Sequence, residues 1–292
     1  MEKTKVLSHD QNRMSRAIES RLDRSVKSRM TTSEYQKVCE YAARIGGQVL
    51  RDMLGKVGVR EKGHADLVTD ADFAAQRAVR EIVLGAYPDH LFLGEESDAN
   101  EVAAASGASG FRWIVDPLDG TTNFVHGVPL FASSVALASG KEVLCGTVYN
   151  PMLEECFTAA QGEGAFLNGI PIRTSGVTGF SEALVSVSFP TTTCTDSPDL
   201  LAFLKFVPES QAIRRTGSTA INLAYIAAGR FDLMTYYGSN AWDVAAGVVL
   251  VQEAGGVISD PSGAAFDLDK GATLASATKT LHDKAVWLIN GQ

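Results

Sequence analysis

The segment that most constrains the fold is FRWIVDPLDGTTNF at residues 111–124. Its start, Phe111–Val115, has the aromatic and β-branched character of a buried strand. Asp116 and Asp119 follow, with Pro117 between them. Because proline cannot donate a ladder hydrogen bond and fixes its own φ, we expect the chain to turn out of the sheet here. Acidic side chains at the end of a rigid strand offer oxygen ligands to a hard cation such as Mg²⁺.

Carboxylates stand at the ends of other predicted elements as well. Glu95 and Glu96 follow a short apolar strand, Asp243 opens an apolar helix, and Asp72 precedes a helical pattern. One acid at such a position is usually a turn former or a cap. Repeated placement at element ends, where the sites of α/β folds are built, indicates one shared site.

Five segments together carry a resemblance to a known family. They are DLVTDAD at 66–72, GEES at 94–97, DPLDGTTNF at 116–124, GSTAINL at 217–223 and WDVAAG at 242–247. In their order and spacing, from about Ser33 to the C-terminus, the chain resembles the inositol monophosphatase family of magnesium-dependent, lithium-sensitive phosphatases.

The resemblance implies a set of metal ligands. Glu95, Asp116 and the backbone carbonyl of Leu118 match the ligands of a first Mg²⁺. Asp116, Asp119 and Asp243 match those of a second ion, and Glu95 would help hold a third, weaker one through waters. We therefore expect two to three Mg²⁺ ions per site and inhibition by Li⁺.

The resemblance also implies catalytic roles. Thr121, with the carboxylate of Asp72, would position and deprotonate the attacking water, and Glu95 belongs to the same catalytic set. The amides of Gly120 and Thr121 match the phosphate cradle. Glu96, the second acid of its motif, is expected to act from behind the ligands. Without cations, so many acids in one cleft would repel a phosphate dianion, so the metal-free protein should bind substrate poorly.

The sequence indicates the identity of the substrate less clearly than the type of reaction. Ser218, Thr219 and Asp243 match positions near the substrate's hydroxyl groups. Where inositol-selective members have a glutamate, seven residues before the aspartate of the WD motif, this chain has Tyr236. A tyrosine cannot bridge two hydroxyls as a carboxylate does. The implied function is hydrolysis of a small phosphorylated alcohol, first myo-inositol 1-phosphate; fructose 1,6-bisphosphate, histidinol phosphate and nucleotide 3′-phosphates are alternatives.

Composition agrees with this class of protein. A chain of 292 residues with 45% hydrophobic content can bury a sizeable core, and its net charge of −8 argues against a general nucleic-acid binder. The four cysteines, Cys39, Cys145, Cys156 and Cys194, are scattered, which predicts reduced, buried thiols. The sequence contains no apolar run long enough for a membrane span and no secretory signal, so we expect a cytoplasmic protein with no membrane partner.

Residues 1–31 differ from the rest. They are rich in Lys and Arg, and apolar residues recur at every fourth position from Met14 to Met30. We expect an added helix or a partly disordered tail; a transit peptide is the sharper alternative, although the segment contains acids. The basic segment also keeps open a regulatory or RNA-associated partner role in place of catalysis. A homodimer is expected from the family alone.

The element pattern predicts a mixed α/β fold. Short strands with glycine turns between Phe131 and Ile172 indicate an antiparallel meander, with a hairpin at Gly162–Leu167, and strands and helices alternate after Leu184. The resemblance implies a layered α-β-α-β-α sandwich. We expect one domain at 32–292, with an N-terminal half at about 32–180 and a C-terminal half at about 181–292.

Overall fold

The computed structural model describes residues 32–63, 66–105, 110–190 and 193–291; the predicted N-terminal extension lies outside these ranges. The helices of the described ranges are α1 (Thr32–Met53), α2 (Asp70–Ala86), α3 (Ala99–Ala105), α4 (Thr121–Val125), α5 (Pro198–Phe206), α6 (Thr219–Ala227), α7 (Ala241–Glu253) and α8 (Lys279–Asn290). The strands are β1 (Val59–Gly63), β2 (Asp66–Thr69), β3 (Leu91–Gly94), β4 (Phe111–Asp119), β5 (Ala132–Ser139), β6 (Glu142–Asn150), β7 (Glu155–Ala160), β8 (Gly164–Leu167), β9 (Ile170–Ile172), β10 (Leu184–Val187), β11 (Ala212–Arg214), β12 (Leu233–Tyr237), β13 (Val257–Ser259) and β14 (Ala272–Ser276).

Two sheets alternate with three layers of helices. The seven-stranded sheet has the order β3-β4-β5-β6-β7-β8-β9, and the five-stranded sheet has the order β11-β10-β12-β14-β13. Helices α1 and α2 pack on the outer face of the larger sheet, α6 and α7 lie between the sheets, and α5 and α8 cover the smaller sheet. These five layers confirm the predicted α-β-α-β-α sandwich.

The predicted meander is confirmed. Each neighbouring pair from β4 to β9 is antiparallel, whereas β3 runs parallel to β4. The glycine-rich segment at 162–164 is the turn between β7 and β8, as expected for a hairpin. The smaller sheet is mixed: β10 runs parallel to β11 and β12, and β14 runs antiparallel to β12 and β13.

The expectation that the chain leaves the sheet at Pro117 is wrong. Strand β4 continues to Asp119, which pairs with Ala132, and the register with β5 shifts between Asp116 and Asp119. A bulge leaves residues out of the ladder, so the missing proline donor is tolerated there.

Helix α1 packs on the larger sheet through small residues. The buried positions include Cys39, Ala42, Ala43, Gly46 and Gly47. A Cβ at Gly46 would approach the Ser133 hydroxyl to 2.6 Å, and one at Gly47 would approach the Tyr149 ring to 2.4 Å. The absence of side chains at these positions therefore lets the helix backbone lie close to the sheet.

The central helix layer is apolar on every side. In α7 every residue from Val244 to Val251 is buried, as expected for a helix enclosed between two sheets. No helix of the described ranges is both long and apolar enough to cross a bilayer. All four cysteines are unpaired; three are buried as predicted, but Cys194 is exposed because it lies in the loop before α5.

Candidate active site

The bulge at the end of β4 brings two carboxylates together. Residues three apart on a regular strand point to opposite faces, and the register shift between Asp116 and Asp119 interrupts that alternation. Both are buried, with 3% and 6% of their surface exposed. The Leu118 amide donates to Asp116 Oδ1 at 3.0 Å, which holds the carboxylate against the bulge.

Asp119 is bound to the N-terminus of α6. It accepts hydrogen bonds from the Ser218 hydroxyl, from the Thr219 amide at 3.0 Å and from the Ala220 amide at 3.1 Å. A carboxylate is favoured here because the first amides of a helix have no partner within it. Ser218 and Thr219, predicted near substrate hydroxyls, thus first serve to position Asp119.

Four acids lie close enough to shift one another's pKa values: Glu95, Asp116, Asp119 and Asp243. Burial raises the pKa of Asp116 well above its usual range, and the charges of the other three raise it further. Burial raises the pKa of Asp243 to about 8, with added repulsion from Glu95 and Asp119 and opposition from the Asn240 amide, which donates to it at 2.6 Å. Acids from three distant parts of the sequence therefore share one region, in which Asp116 and Asp119 are buried and Glu95 and Asp243 are half-buried.

The pKa of Asp119 is raised less than that of Asp243. Burial raises the pKa of Asp119 to about 6, and the hydrogen bonds from Ser218, Thr219 and Ala220 oppose this rise because they stabilise the charged form. The side chain of Glu95 also contacts Asp116, and this contact raises the Asp116 pKa as well. Helix α6 therefore already supports one of the four charges.

The donor set fits a hard cation. Carboxylate oxygens, with the Leu118 carbonyl beside them, are the ligands that Mg²⁺ prefers, and buried acids that repel one another are stabilised by a cation. In the described ranges no group of three or more His, Cys, Asp or Glu side chains is already arranged as a metal-binding cluster. Because a cation binds ionised carboxylates, its binding would displace protons from the carboxyls whose pKa is raised.

Thr121 and Asp72 meet at the start of two helices. The Thr121 hydroxyl lies 3.1 Å from the Leu118 carbonyl and 3.4 Å from Asp72 Oδ1. Asp72 is fully buried, and its Oδ2 accepts from the Thr69 amide at 2.8 Å and the Thr69 hydroxyl at 2.7 Å. The capping interaction of α2 therefore orients Asp72 toward Thr121.

The segment between the two helix starts is held tightly. Gly120 has φ = 94°, and a Cβ there would lie 3.0 Å from the Leu130 carbonyl oxygen. The Asn123 amide donates to the Leu130 carbonyl at 2.6 Å and to the Thr216 carbonyl at 2.8 Å. These bonds tie α4 to the segment that leads into α6.

A group of hydroxyls lies beside the acids. Ser188 Oγ lies 3.1 Å from Thr219 Oγ1, and continuing the register of β10 and β12 places Ser188 next to Tyr236 on the same face. Burial raises the Tyr236 pKa, and so do the charges of Asp243, Asp199 and other acids. Sequence reasoning missed Ser188, although the alternating polar residues of VSVS at 185–188 could have indicated it.

Asp199 is a second residue that the sequence did not reveal. It is 1% exposed at the start of α5, and it accepts from the Tyr237 amide at 2.7 Å. Burial raises its pKa to about 6, opposed by the amides of Tyr237 and of Asp199 itself. Its place in the sequence indicated only a helix start, because its partner strand lies far along the chain.

Glu96 lies beside the cluster at the end of β3. Its amide donates to Gln76 Oε1 at 2.9 Å, which ties this end of β3 to α2. The structure thus places Glu95, Asp116, Asp119 and Asp243 in one group, with Thr121 and Asp72 beside Leu118, and Tyr236 at the hydroxyl side.

Comparison with known proteins agrees with this geometry. The family model "Inositol monophosphatase family" matches residues 31–290. The "Nus factor SuhB" of Pseudomonas aeruginosa is 41% identical over 244 residues, 82% of this chain and 89% of that protein. An "Inositol monophosphatase" of Mesembryanthemum crystallinum is 42% identical over 246 residues, covering 81% and 88%.

Two further matches bear on substrate and fold. A "Fructose-1,6-bisphosphatase/inositol-1-monophosphatase" of Aquifex aeolicus is 36% identical over 257 residues, covering 86% of this chain and 93% of that protein. The crystal structure of extragenic suppressor protein suhB from Bartonella henselae matches with a TM-score of 0.80 and 34% identity, covering 88% of this chain and 98% of that one.

Proposed function

The chain belongs to the inositol monophosphatase family and is a phosphatase, and we propose that it hydrolyses small phosphorylated alcohols, first among them myo-inositol 1-phosphate, with Mg²⁺ as its cofactor. The observation that carries this proposal is the mutual perturbation of Glu95, Asp116, Asp119 and Asp243. Carboxylates grouped so closely repel an anionic substrate unless cations reverse the local charge.

The proposed metal ligands are Glu95, Asp116, Asp119, Asp243 and the Leu118 carbonyl. Bound Mg²⁺ would neutralise the phosphoryl oxygens, lower the pKa of a water and stabilise the leaving oxygen. The chain's own task is to fix these oxygens, and the amides of α6 already do so for Asp119.

Thr121 and Asp72 would orient the attacking water and accept its proton. Support comes from the 3.4 Å separation of their oxygens and from the two donors of Thr69 that fix Asp72. The Gly120 and Thr121 amides would hold the phosphate, since the left-handed Gly120 turns the backbone away from β4 at this point. Glu96 would support this arrangement from the end of β3.

The alcohol part of the substrate would lie against Tyr236 and Thr219. The names of the relatives support polyol and sugar phosphates, since they include inositol monophosphatases and one fructose-1,6-bisphosphatase/inositol-1-monophosphatase. Histidinol phosphate and nucleotide 3′-phosphates stay as alternatives. A homodimer and a cytoplasmic location stay predictions.

A non-catalytic role is not favoured. The relative from Pseudomonas aeruginosa is named a Nus factor, and a regulatory role would follow from its name alone. The family model nevertheless covers residues 31–290, which include every proposed ligand, and other relatives bear phosphatase names.

Phosphate release tests the proposal. The full chain is assayed with myo-inositol 1-phosphate, fructose 1,6-bisphosphate, histidinol phosphate and adenosine 3′-phosphate. We expect activity with Mg²⁺, loss in EDTA, recovery on adding Mg²⁺, and inhibition by Li⁺. Activity undiminished in EDTA would contradict the metal requirement, and no release from any of these esters would contradict the proposed function.

A further inference from the structure

Resting on the proposed function, we propose that Arg112 and Asp269 are positioning residues for Asp243, the proposed metal ligand at the start of α7. Their ion pair fixes the loop at 267–271, and this loop fixes the backbone that carries Asp243. The two residues would therefore raise the affinity of the site for Mg²⁺ without touching the ion or the substrate. Neither the family model nor the names of the relatives assign a role to them.

Arg112 is a charged residue in a largely apolar part of β4. Its side chain is fully buried and lies on the same face of the strand as Ile114, which belongs to the core that contains α7. One guanidinium nitrogen donates to the Ala105 carbonyl at 3.0 Å, and another donates to Asp269 Oδ1 at 2.9 Å. Ala105 ends α3 and Asp269 precedes β14, so Arg112 joins two segments that are far apart in the sequence.

A second ion pair contacts the same loop. Lys141 Nζ lies 2.6 Å from Asp267 Oδ2, and Asp267 Oδ1 accepts from the Asp269 amide at 3.2 Å. The Lys270 amide donates to the Asp267 carbonyl at 3.0 Å, which closes a tight turn. Lys141 is largely exposed, and exposed ion pairs contribute little. The buried contact with Arg112 is therefore the one that sets the place of the turn.

The loop ends against the residues that precede α7. The Gly271 carbonyl accepts from the Gly238 amide at 2.5 Å and from the Ser239 amide at 3.0 Å. Gly271 has φ = 67°, and a Cβ there would lie 2.7 Å from the Ser239 carbonyl oxygen, so the two backbones are in close contact. The next residue, Asn240, donates its amide to Asp243 Oδ2 at 2.6 Å. A series of backbone contacts thus joins the loop to the proposed ligand.

The ion pair serves orientation more than stability. Arg112 exposes none of its side chain and Asp269 exposes 26%. Taking two charges out of water opposes their attraction, so a buried ion pair adds little net stability. A guanidinium does fix the direction of its partners, because its donors lie in one rigid plane. Asp243 benefits from a fixed backbone because the charges of Glu95 and Asp119 repel its own.

Two variants of Asp269 test the proposal. Asp269→Ala removes both the charge and the acceptor, whereas Asp269→Asn keeps an acceptor oxygen without the charge. We measure urea unfolding at a series of Mg²⁺ concentrations, because the rise in the free energy of unfolding gives the Mg²⁺ dissociation constant without any substrate. Asp269→Ala should raise this constant about tenfold, the lower end of the loss that groups behind metal ligands cause. Asp269→Asn should raise it about threefold, because the contact is weakened but kept.

Kinetics with myo-inositol 1-phosphate supply a second readout. The Mg²⁺ concentration that gives half of the maximal rate should also rise about tenfold in Asp269→Ala. At saturating Mg²⁺, kcat and KM should return to within about twofold of the wild type, because the proposed water- and phosphate-binding residues stay in place. A general loss of folded protein would instead lower the rate at every Mg²⁺ concentration.

Glu155→Ala is the matched control. Glu155 is paired with Arg230 at 2.6 Å and exposes 17% of its side chain, so the variant also leaves an arginine without its partner. Arg230 follows the C-terminal end of α6, whereas Asp119 binds the N-terminal end, so this pair lies away from the proposed metal site. The Mg²⁺ dissociation constant should be unchanged, because distant sites act independently. The urea curves also verify that each variant is folded.

The outcomes separate the two proposals. If the wild-type chain hydrolyses none of the assayed esters, the proposed function fails, and the unfolding measurement still tests the positioning role. If Mg²⁺ does not stabilise the wild type, if Asp269→Ala leaves the dissociation constant unchanged, or if Glu155→Ala raises it equally, the positioning role fails.

Equal effects of Asp269→Asn and Asp269→Ala would also overturn the positioning role, because the uncompensated charge of Arg112 would then explain the change. Should Asp269→Ala not fold, Asp269→Asn is compared with Glu155→Gln in the same way. An unchanged Mg²⁺ dissociation constant in Asp269→Asn would then contradict the proposal.

Discussion

The Thr121 hydroxyl has one proton and two neighbouring acceptors. It lies 3.1 Å from the Leu118 carbonyl and 3.4 Å from Asp72 Oδ1, so its orientation decides which group it supports. We expect Thr121→Ala to lower kcat on the order of 10²–10⁴-fold, because aligning and deprotonating a water contributes that much. KM should change far less. Steady-state kinetics on myo-inositol 1-phosphate measures both values.

Thr122 supplies the control for this change. It is exposed and stands one residue further along α4, so Thr122→Ala should leave both constants near those of the wild type. A loss shared equally between kcat and KM in Thr121→Ala would instead show that Thr121 only binds substrate.

Tyr236 is the residue that we propose to lie against the alcohol part of the substrate. We expect Tyr236→Glu to raise the kcat/KM ratio of myo-inositol 1-phosphate to fructose 1,6-bisphosphate about tenfold, because a carboxylate can accept from two hydroxyls and repels a second anion. Tyr236→Phe, which removes the hydroxyl without adding charge, should not favour inositol phosphate. An unchanged ratio in Tyr236→Glu would place this side chain outside the alcohol pocket.

At the scale of elements, α4 and α6 are joined by one side chain. The Asn123 amide donates to the carbonyls of Leu130 and Thr216, at 2.6 and 2.8 Å. Asn123→Ala should lower the free energy of unfolding by about 1–3 kcal/mol, since partly buried carbonyls lose their donor. Urea unfolding measures the change. His126→Ala, at an exposed position after α4, should cost less than about 0.5 kcal/mol. Equal losses in the two variants would argue against the tether.

The end of β4 shows which parts of the fold the sequence could predict. The sequence predicted that Asp116 and Asp119 lie at a strand end, because the apolar run ends sharply after Val115. The sequence did not predict that the strand continues past Pro117, because the bulge depends on pairing with β5. The grouping of Asp243 with these acids came from the family resemblance, because local pattern contains no information about contacts between distant elements.

Helix α1 shows a different limit. Its bulky apolar residues Val38, Val49 and Met53 are only partly buried. The helix instead approaches the sheet through Gly46 and Gly47. A search for apolar periodicity finds helix faces with large side chains. The close approach of this helix to the sheet depends instead on positions that have no side chain. Ser188 and Asp199 were missed for a related reason: their partners come from other elements.

At the scale of the whole molecule, the fold places a group of acids in a site where two are buried and two are half-buried. Helix amides support Asp119 and Asp243, yet the pKa values of both carboxyls are still raised, to about 6 and about 8. A carboxyl whose folded pKa is raised destabilises the protein as it ionises. Its contribution is therefore most favourable below the unfolded pKa, near 4, and is lost as pH rises through the folded pKa. Metal binding should reverse this loss.

In chelator we therefore expect the free energy of unfolding to fall between about pH 6.5 and pH 9, the window in which Asp243 ionises. Urea unfolding at several pH values, in EDTA and in Mg²⁺, measures it. Burial lowers the pKa of His282, so protonation of His282 below about pH 6.5 destabilises the folded protein. Starting the series at pH 6.5 avoids this opposite effect.

Asp243→Asn removes the titrating carboxyl. This variant should show a flatter dependence of the free energy of unfolding on pH, and without metal it should be more stable than the wild type at high pH. Mg²⁺ should stabilise the wild type more than this variant, because the proposed site would bind it in the folded state through that carboxylate. A wild-type profile in EDTA that is level or rises over this window would mean that these acids do not repel one another as described.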